Sequence, residues 1–340
     1  MGAMIVAYGG ETDGTGGATP SMAQRTALFQ KVFAGEVLTA FEQATLMLDK
    51  HQIRTITSGK SATFPNLGRV TSGYHVPGDE LVSQAVTSNE TEILIDGLLY
   101  SAIFIDNIDE MMSHFDFRAP YAVEMGRKLA QDFDKSVILT LIRAAKAAAK
   151  LASRGDLAAA SKVQYLGASY TSGTVAAKAA ALATAIFTQS AIWDNQFVPG
   201  ERYVALTPTD YNAIVQNTAA INSDWGGQGA YSDGTVTKVA GATILKAPSL
   251  SSIIGIDTTG ISPAGAANAA VATTRGASGD TDVQAVMFTK DAVGTVKLLD
   301  ISTESAWDIR RQGTLLVAKY AMGHGILRAD GAAYFANDAS

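Results

Sequence analysis

The longest helical pattern in the chain begins at Pro120, and it sets the scale of everything around it. Ala122, Met125, Leu129, Phe133, Val137, Leu141 and Ala144 or Ala145 recur three or four residues apart, which lays one apolar stripe along a helix. Pro120 suits a first helical turn, where its missing N–H is no loss, and the Ala-Lys run to Lys150 has high helix propensity. A stretch of about 32 residues, rising about 1.5 Å each, makes a rod of roughly 48 Å. That exceeds the width of an ordinary core. A spine helix over about residues 120–151 is therefore expected to cross the whole subunit.

A second stripe precedes it. In TALFQKVFAGEVLTAFEQATLML, Phe29, Phe33, Val37, Ala40, Phe41 and Ala44 keep helical spacing, and Gly35 weakens that helix by about 1 kcal/mol relative to Ala. Residues 1–24 are rich in Gly and Thr and hold Pro20, a composition that orders at high entropic cost, so 1–50 reads as an N-terminal arm with 1–24 flexible. With no companion helix beside it in sequence, the Phe stripe must be buried on its own domain or on a neighbouring subunit.

Residues 51–92 change material. β-Branched runs such as Thr55-Ile56-Thr57 are punctuated by Ser58-Gly59, Pro65-Asn66, Gly68, Gly73 and Pro77-Gly78, the signature of an extended hairpin loop with little core of its own. Its first half carries Arg54, Lys60 and Arg69, and its second half Asp79, Glu80, Glu90 and Glu92; that segregation suits an arm that docks on something. Ile93–Ile105 then reads as two buried strands joined or bulged at Asp96-Gly97. Residues 155–285 are poor in charge and rich in Ala, Gly, Ser and Thr, with a helix over Ala176–Trp193 and a strand and helix around Tyr203–Gln216 that starts at Thr207-Pro208. Strands return at Val283–Phe288, Gly294–Leu299 and Thr314–Tyr320, with a mixed stretch over Thr303–Arg311 between the last two, and could complete a sheet begun by Ile93–Ile105. The implied organisation is a discontinuous domain of 93–154 and 286–340 with 155–285 inserted into it.

Charged residues make up only 17% of the 340, against about 25% in ordinary soluble domains. The chain is short of solvated surface. Its net charge of −6 excludes a general basic grip on nucleic acid. The absence of Cys excludes disulfides, thiolate metal sites and Cys nucleophiles. Asp96 and Asp106 interrupt the most apolar window, ILIDGLLYSAIFID, so no membrane span is expected; the start lacks a basic secretory region. A soluble cytoplasmic protein is the default reading.

The search for chemistry returns little. Ser58-Gly59-Lys60-Ser61 resembles the end of a phosphate-binding loop, but Arg54 stands where its first Gly is needed and Phe64-Pro65 interrupts any following helix. The four His (His51, His75, His114, His324) are far apart in sequence. His324, between Gly323 and Gly325, could expose an imidazole as a general base or simply mark a turn. Asp106, Asp109 and Glu110 read as helix-cap charges before a divalent-ion site. No nucleophile, base and orienter assemble, so no catalytic, cofactor or metal site is assigned.

Five blocks carry a resemblance: LFQKVFAGEVLTAF (Leu28–Phe41), RTITSGKSATFPNLGR (Arg54–Arg69), ILIDGLL (Ile93–Leu99), AVGTVKL (Ala292–Leu298) and AKYAMGHGILR (Ala318–Arg328). In order and spacing they are similar to the major capsid proteins of T-seven-like short-tailed bacteriophages. The resemblance implies an α+β tailed-phage capsid fold of the Hong Kong 97 type, with the arm, the extended hairpin loop, a peripheral domain holding the spine and an inserted axial domain. It implies a non-enzymatic subunit of an icosahedral virion shell, assembled in the host bacterial cytoplasm as hexamers and pentamers around a scaffolding protein. It further implies a portal protein as partner and packaged double-stranded DNA held without specific recognition. An encapsulin-like compartment of the same fold is the alternative. On this reading Phe29, Phe33 and Phe41 anchor the arm on neighbours, and Lys60, Phe64, Pro65 and Arg69 make the hairpin's inter-subunit contacts. Asp96, Gly97, Gly323, His324 and Gly325 are fold-defining turns. No Lys, Asn and Glu trio for an isopeptide cross-link can be assigned.

Overall fold

The computed structural model describes residues 22–68, 88–106, 118–147, 157–171, 173–216, 238–251 and 283–337, with positions 70, 72–75, 77–78, 80, 86, 108 and 112. In chain order its main elements are α1 (Met22–Ala44), β1 (Gln52–Thr55), β2 (Ser61–Leu67), β3 (Ser88–Leu94), β4 (Leu99–Asp106), α2 (Arg118–Lys146), β5 (Val163–Tyr165), α3 (Val175–Asn195), β6 (Arg202–Leu206), α4 (Pro208–Val215), β7 (Lys238–Val239), β8 (Ala242–Lys246), β9 (Val283–Thr289), β10 (Val293–Asp308), β11 (Gly313–Ile326) and β12 (Ala332–Ala336). They form a four-stranded sheet in the order β1-β10-β11-β4, a six-stranded sheet in the order β5-β12-β9-β6-β8-β7, and the isolated pair β2-β3.

The spine is α2, 29 residues long and so about 44 Å from end to end. Its apolar stripe, Ala122 through Ala145, is buried against α1 and against residues of both larger sheets, among them Leu316, Tyr320, Val286 and Phe288. The contact with α1 is close because Gly126 has no side chain: a Cβ there would lie 2.6 Å from the Val37 carbonyl oxygen and 2.9 Å from the Ala40 Cβ. At the other end the buried Lys162 ammonium donates to the carbonyls of Ala144 (3.2 Å), Ala147 (2.5 Å) and Ala329 (3.3 Å). It satisfies carbonyls that the last helical turn leaves orphaned and places a cation at the negative end of the helix dipole.

The six-stranded sheet is apolar on both faces. Along β6, Tyr203 and Ala205 join the spine's core while Val204 and Leu206 join a second core under α3 and α4; β9 divides Val286 and Phe288 from Ala285 and Met287 in the same way. That is the period-two alternation of a strand sandwiched between helices. α3 is by length and composition apolar enough to span a bilayer, yet Leu182, Ile186 and Trp193 are fully buried in this core. As expected from Thr207-Pro208, α4 starts there, with the Thr207 hydroxyl accepting from the Asp210 N–H at 3.2 Å.

Several expected groupings are redrawn by the pairing. β9, expected to extend the sheet of Ile93–Ile105, instead lies between β12 and β6. Residues 52–55, read as part of the hairpin loop, form a strand parallel to β10, so the hairpin proper is β2 with β3. The two strands flanking Asp96-Gly97 are not one buried ladder, since β3 pairs with β2 and β4 with β11. Gly323, His324 and Gly325 are no turn: they lie inside β11, opposite Val296, Thr295 and Gly294. Local sequence marked the strands at 283–288, 294–299 and 314–320, but not the extent of β11 or the partner of each strand, which packing at long sequence range sets.

Candidate assembly interface

The hairpin β2–β3 runs in register from Ser61 opposite Leu94 to Leu67 opposite Ser88 and pairs with no other described strand. Its apolar support is confined to its root. Ala62, Ile93, Val296 and Leu327 form a small cluster, with Phe64, Ile56 and Ile95 against it, apart from the two main cores. Farther out Leu67, Val70 and Tyr74 are exposed, Tyr74 completely. A two-stranded hairpin is marginal by itself in water, and one that offers Val70 and Tyr74 to solvent is a surface awaiting a partner.

Charge is distributed along it as expected on the described positions. Arg54 and Lys60 are exposed near the root, and Glu90, Glu92 and Glu80 are exposed on the returning side. The Arg54 guanidinium donates to the Thr63 carbonyl at 2.6 Å and lies 5.8 Å from the Phe64 ring, so it stiffens the root. The Lys60 carbonyl accepts from the Ile95 N–H at 2.9 Å, leaving its side chain to solvent. Phe64 is half-buried and Pro65 exposed on β2, where a missing N–H is harmless at an open edge. Arg69 and Asp79 lie outside the described residues.

The arm residues divide differently from expectation. Phe33 and Phe41 are buried within their own subunit, with the Phe41 ring edge-on to Phe133 at 5.9 Å and to Tyr320 at 6.3 Å. They are core residues and not anchors on a neighbour, because the spine supplies the companion helix that the local sequence lacked. Phe29 falls in α1, but its side chain is outside the described set.

His51 and His324, far apart in sequence, meet through Thr295. The Thr295 hydroxyl lies 2.7 Å from His51 Nε2 and 2.8 Å from His324 Nδ1, and His51 Nδ1 lies 2.7 Å from the Met47 carbonyl. A carbonyl only accepts, so Nδ1 of His51 carries the proton; its Nε2 then accepts from Thr295, which accepts in turn from His324 Nδ1–H. Phe133 closes the group, 5.8 Å from one ring and 5.3 Å from the other. Burial lowers His51 to about 4 and His324 to about 3, with Lys297 and Lys290 adding to the first shift and His51 adding to the second. The glycines therefore do not expose His324 as a general base. Beside this chain the buried Asp134 accepts from the Leu46 and Met47 N–H groups at 3.0 and 3.1 Å, and burial raises it to about 6. Both groups tie the exit of α1 to the spine and β10. Nothing in the local sequence marks either one.

Further apolar surface lies at the far end of the four-stranded sheet, where Trp307, Ile309 and Ile108 are half or more exposed. Phe197, next to α3, is 82% exposed with φ of 51°. Sequence reading did not single these out, since an exposed aromatic and a buried one look alike in a string. Among the described residues no three His, Asp or Glu side chains come together to hold a metal ion. Asp109 and Glu110 are outside the described set.

A spine shared by two sheets and a protruding hairpin rooted on one of them make up a tailed-phage capsid fold. A capsid structure of the cyanophage P-SCSP1u superposes with a TM-score of 0.71 at 35% identity, covering 87% of this chain and 89% of that one. The major capsid protein of Enterobacteria phage T3 is 33% identical over 336 residues, 95% of this chain and 96% of the relative, and that of Escherichia phage T7 is 31% identical over 345 residues, 95% and 96%. The family model described as Gp10A-like major capsid protein matches residues 63–336, and the chain belongs to that family. It is a structural protein of the virion capsid and not an enzyme, and forming a capsid shell entails association with copies of itself. The encapsulin-like alternative is not favoured.

Proposed function

We propose that the chain is the repeating subunit of an icosahedral phage head, arranged in hexamers and pentamers, and that the β2–β3 hairpin carries its principal contact with a neighbouring copy. The observation behind this is the hairpin's construction: an apolar root on its own subunit and, beyond it, exposed Val70, Tyr74 and separated charges with nothing of their own to cover them. Lys60, Phe64, Pro65 and Arg69 are its contact or shaping residues. Phe29 remains the arm position for a neighbour. Residues 155–285 serve as the axial region and the spine with the four-stranded sheet as the peripheral one. Assembly takes place in the bacterial cytoplasm with a scaffolding protein, and a portal protein occupies the place through which double-stranded DNA enters. The net charge of −6 supports a container that does not grip its DNA, since a basic lining would bind phosphates through counterion release.

The test is charge reversal in the hairpin. Lys60→Glu with Arg69→Glu, co-expressed with the scaffolding protein, should abolish shells in electron micrographs while the subunit keeps its circular dichroism and melting point. Normal shell yield would remove the hairpin from the interface.

A further inference from the structure

Three glycines meet beneath the hairpin. Gly294 on β10 and Gly325 on β11 are a cross-strand pair, and Gly323 lies two residues away on β11, opposite Val296. Together they leave a patch of bare backbone on the sheet, and the end of the returning hairpin strand, β3, lies directly on it. A Cβ at Gly325 would meet Ile93 Cγ1 at 2.6 Å, Cδ1 at 2.9 Å and Cγ2 at 3.2 Å; one at Gly294 would meet Leu327 Cδ1 at 2.7 Å and Ile93 Cδ1 at 3.2 Å. At Gly323 the obstruction is backbone: the Leu94 carbonyl oxygen at 2.1 Å, Ile95 Cα at 2.8 Å and the Leu94 carbonyl carbon at 2.9 Å. The strand is pinned just past this point, where the Asp96 N–H donates to the Met322 carbonyl at 3.1 Å and the Ile95 N–H to the Lys60 carbonyl at 2.9 Å.

None of these glycines has the positive φ that would make glycine necessary for its own backbone. Their common property is the room they leave. Ile93, 2% exposed, occupies the room over Gly325 and shares that over Gly294 with Leu327; both belong to the small root cluster and to neither main core. The hairpin thus meets the body through the small root cluster that Ile93 and Ala62 make with Val296 and Leu327, one backbone crossing and a few hydrogen bonds, and a long lever held at a short base turns a small displacement at the base into a large one at the tip.

We propose that Gly294, Gly323 and Gly325 are positioning residues: a bare-backbone bearing that fixes the angle at which the hairpin leaves the subunit, and thereby which surface of a neighbouring copy its tip can reach. The second clause rests on the hairpin being a contact arm; the first does not.

The two kinds of obstruction give different genetics. Gly325→Ala pushes on the Ile93 side chain, so Ile93→Ala in the same chain removes every clashing atom and restores the angle. Gly323→Ala pushes on backbone, so Leu94→Ala cannot rescue it. Because the chain has no Cys, Glu90→Cys on the hairpin and Ala180→Cys on the exposed side of α3 accept one spin label each, and the interspin distance reports the angle in the unassembled subunit. The expected result is a shifted distance in Gly325→Ala, its return in Ile93→Ala/Gly325→Ala, and a shift in Gly323→Ala that persists with Leu94→Ala. Shell yield with the scaffolding protein should follow the distance. An unchanged distance in a variant that merely melts earlier overturns the bearing, as does failure of Ile93→Ala to rescue. A shifted distance with normal shells leaves the bearing standing and refutes the contact-arm reading.

Discussion

The buried chain His51–Thr295–His324 makes the unassembled subunit sensitive to acid by an amount that can be worked out. The folded state holds His51 neutral down to about pH 4 and His324 to about 3, whereas in the unfolded chain both take a proton near the ordinary value of 6.5. A base whose pKa is depressed by folding contributes no penalty well above 6.5, and stability is lost as pH falls below it, down to the folded values. At pH 5, about 1.5 pH units below 6.5, each ring costs about 2 kcal/mol at roughly 1.4 kcal/mol per unit. His324 keeps some contact with solvent, which reduces its share, so the pair costs about 3 kcal/mol. Asp134 acts the other way: its folded value of about 6 lies above the ordinary 3.8, so the folded state gains a proton on acidification and recovers about 1 kcal/mol by pH 5. The net loss between pH 7 and pH 5 is about 2 kcal/mol. Urea unfolding of the isolated subunit at both pH values measures it. His324→Asn, whose amide can replace the Nδ1–H donor to Thr295, should cut the fall substantially, and His51→Gln/His324→Asn should reverse its sign, leaving the Asp134 contribution. Equal stability at pH 7 and 5 in the parent, or an undiminished fall in the double variant, would refute the buried neutral relay.

Two further outcomes separate what the structure reassigned from what the sequence proposed. Phe41→Ala should lower subunit stability by about 3–5 kcal/mol, because Phe41 fills space between Phe133 and Tyr320 in its own core; if the subunit keeps its melting point and only shell yield falls, Phe41 is an anchor on a neighbour after all. Gly97→Ala should leave stability within about 1 kcal/mol and could raise it by reducing unfolded-state entropy, since Gly97 lacks a positive φ and a Cβ there meets nothing within 4 Å; a severe loss on thermal melting would restore Asp96-Gly97 as a turn that demands glycine.

What could be read from residue order alone was what depends on near neighbours. The spine was legible because Ala122 through Ala145 repeat the helical period without a break, and the arm helix because its Phe stripe does the same. The polar hairpin announced itself by turn residues and by want of apolar content, and α4 by Thr207-Pro208. Family-specific blocks then supplied shell function, which no period or spacing carries. The low charged fraction was equally visible, and self-association in a shell is its natural cause: surface covered by other copies need not be wet.

Only the tertiary structure decided which strand each strand meets. It carried β9 and β12 into the six-stranded sheet and turned Gly323–Gly325 from an expected turn into a bare patch within β11. It also joined His51 to His324 across more than two hundred residues of chain and turned the arm's Phe33 and Phe41 inward onto the spine. A helix or turn is selected by interactions within a few residues, whereas these contacts are selected by how whole surfaces fill space together. The residues that make them lie too far apart in the chain to leave a pattern there.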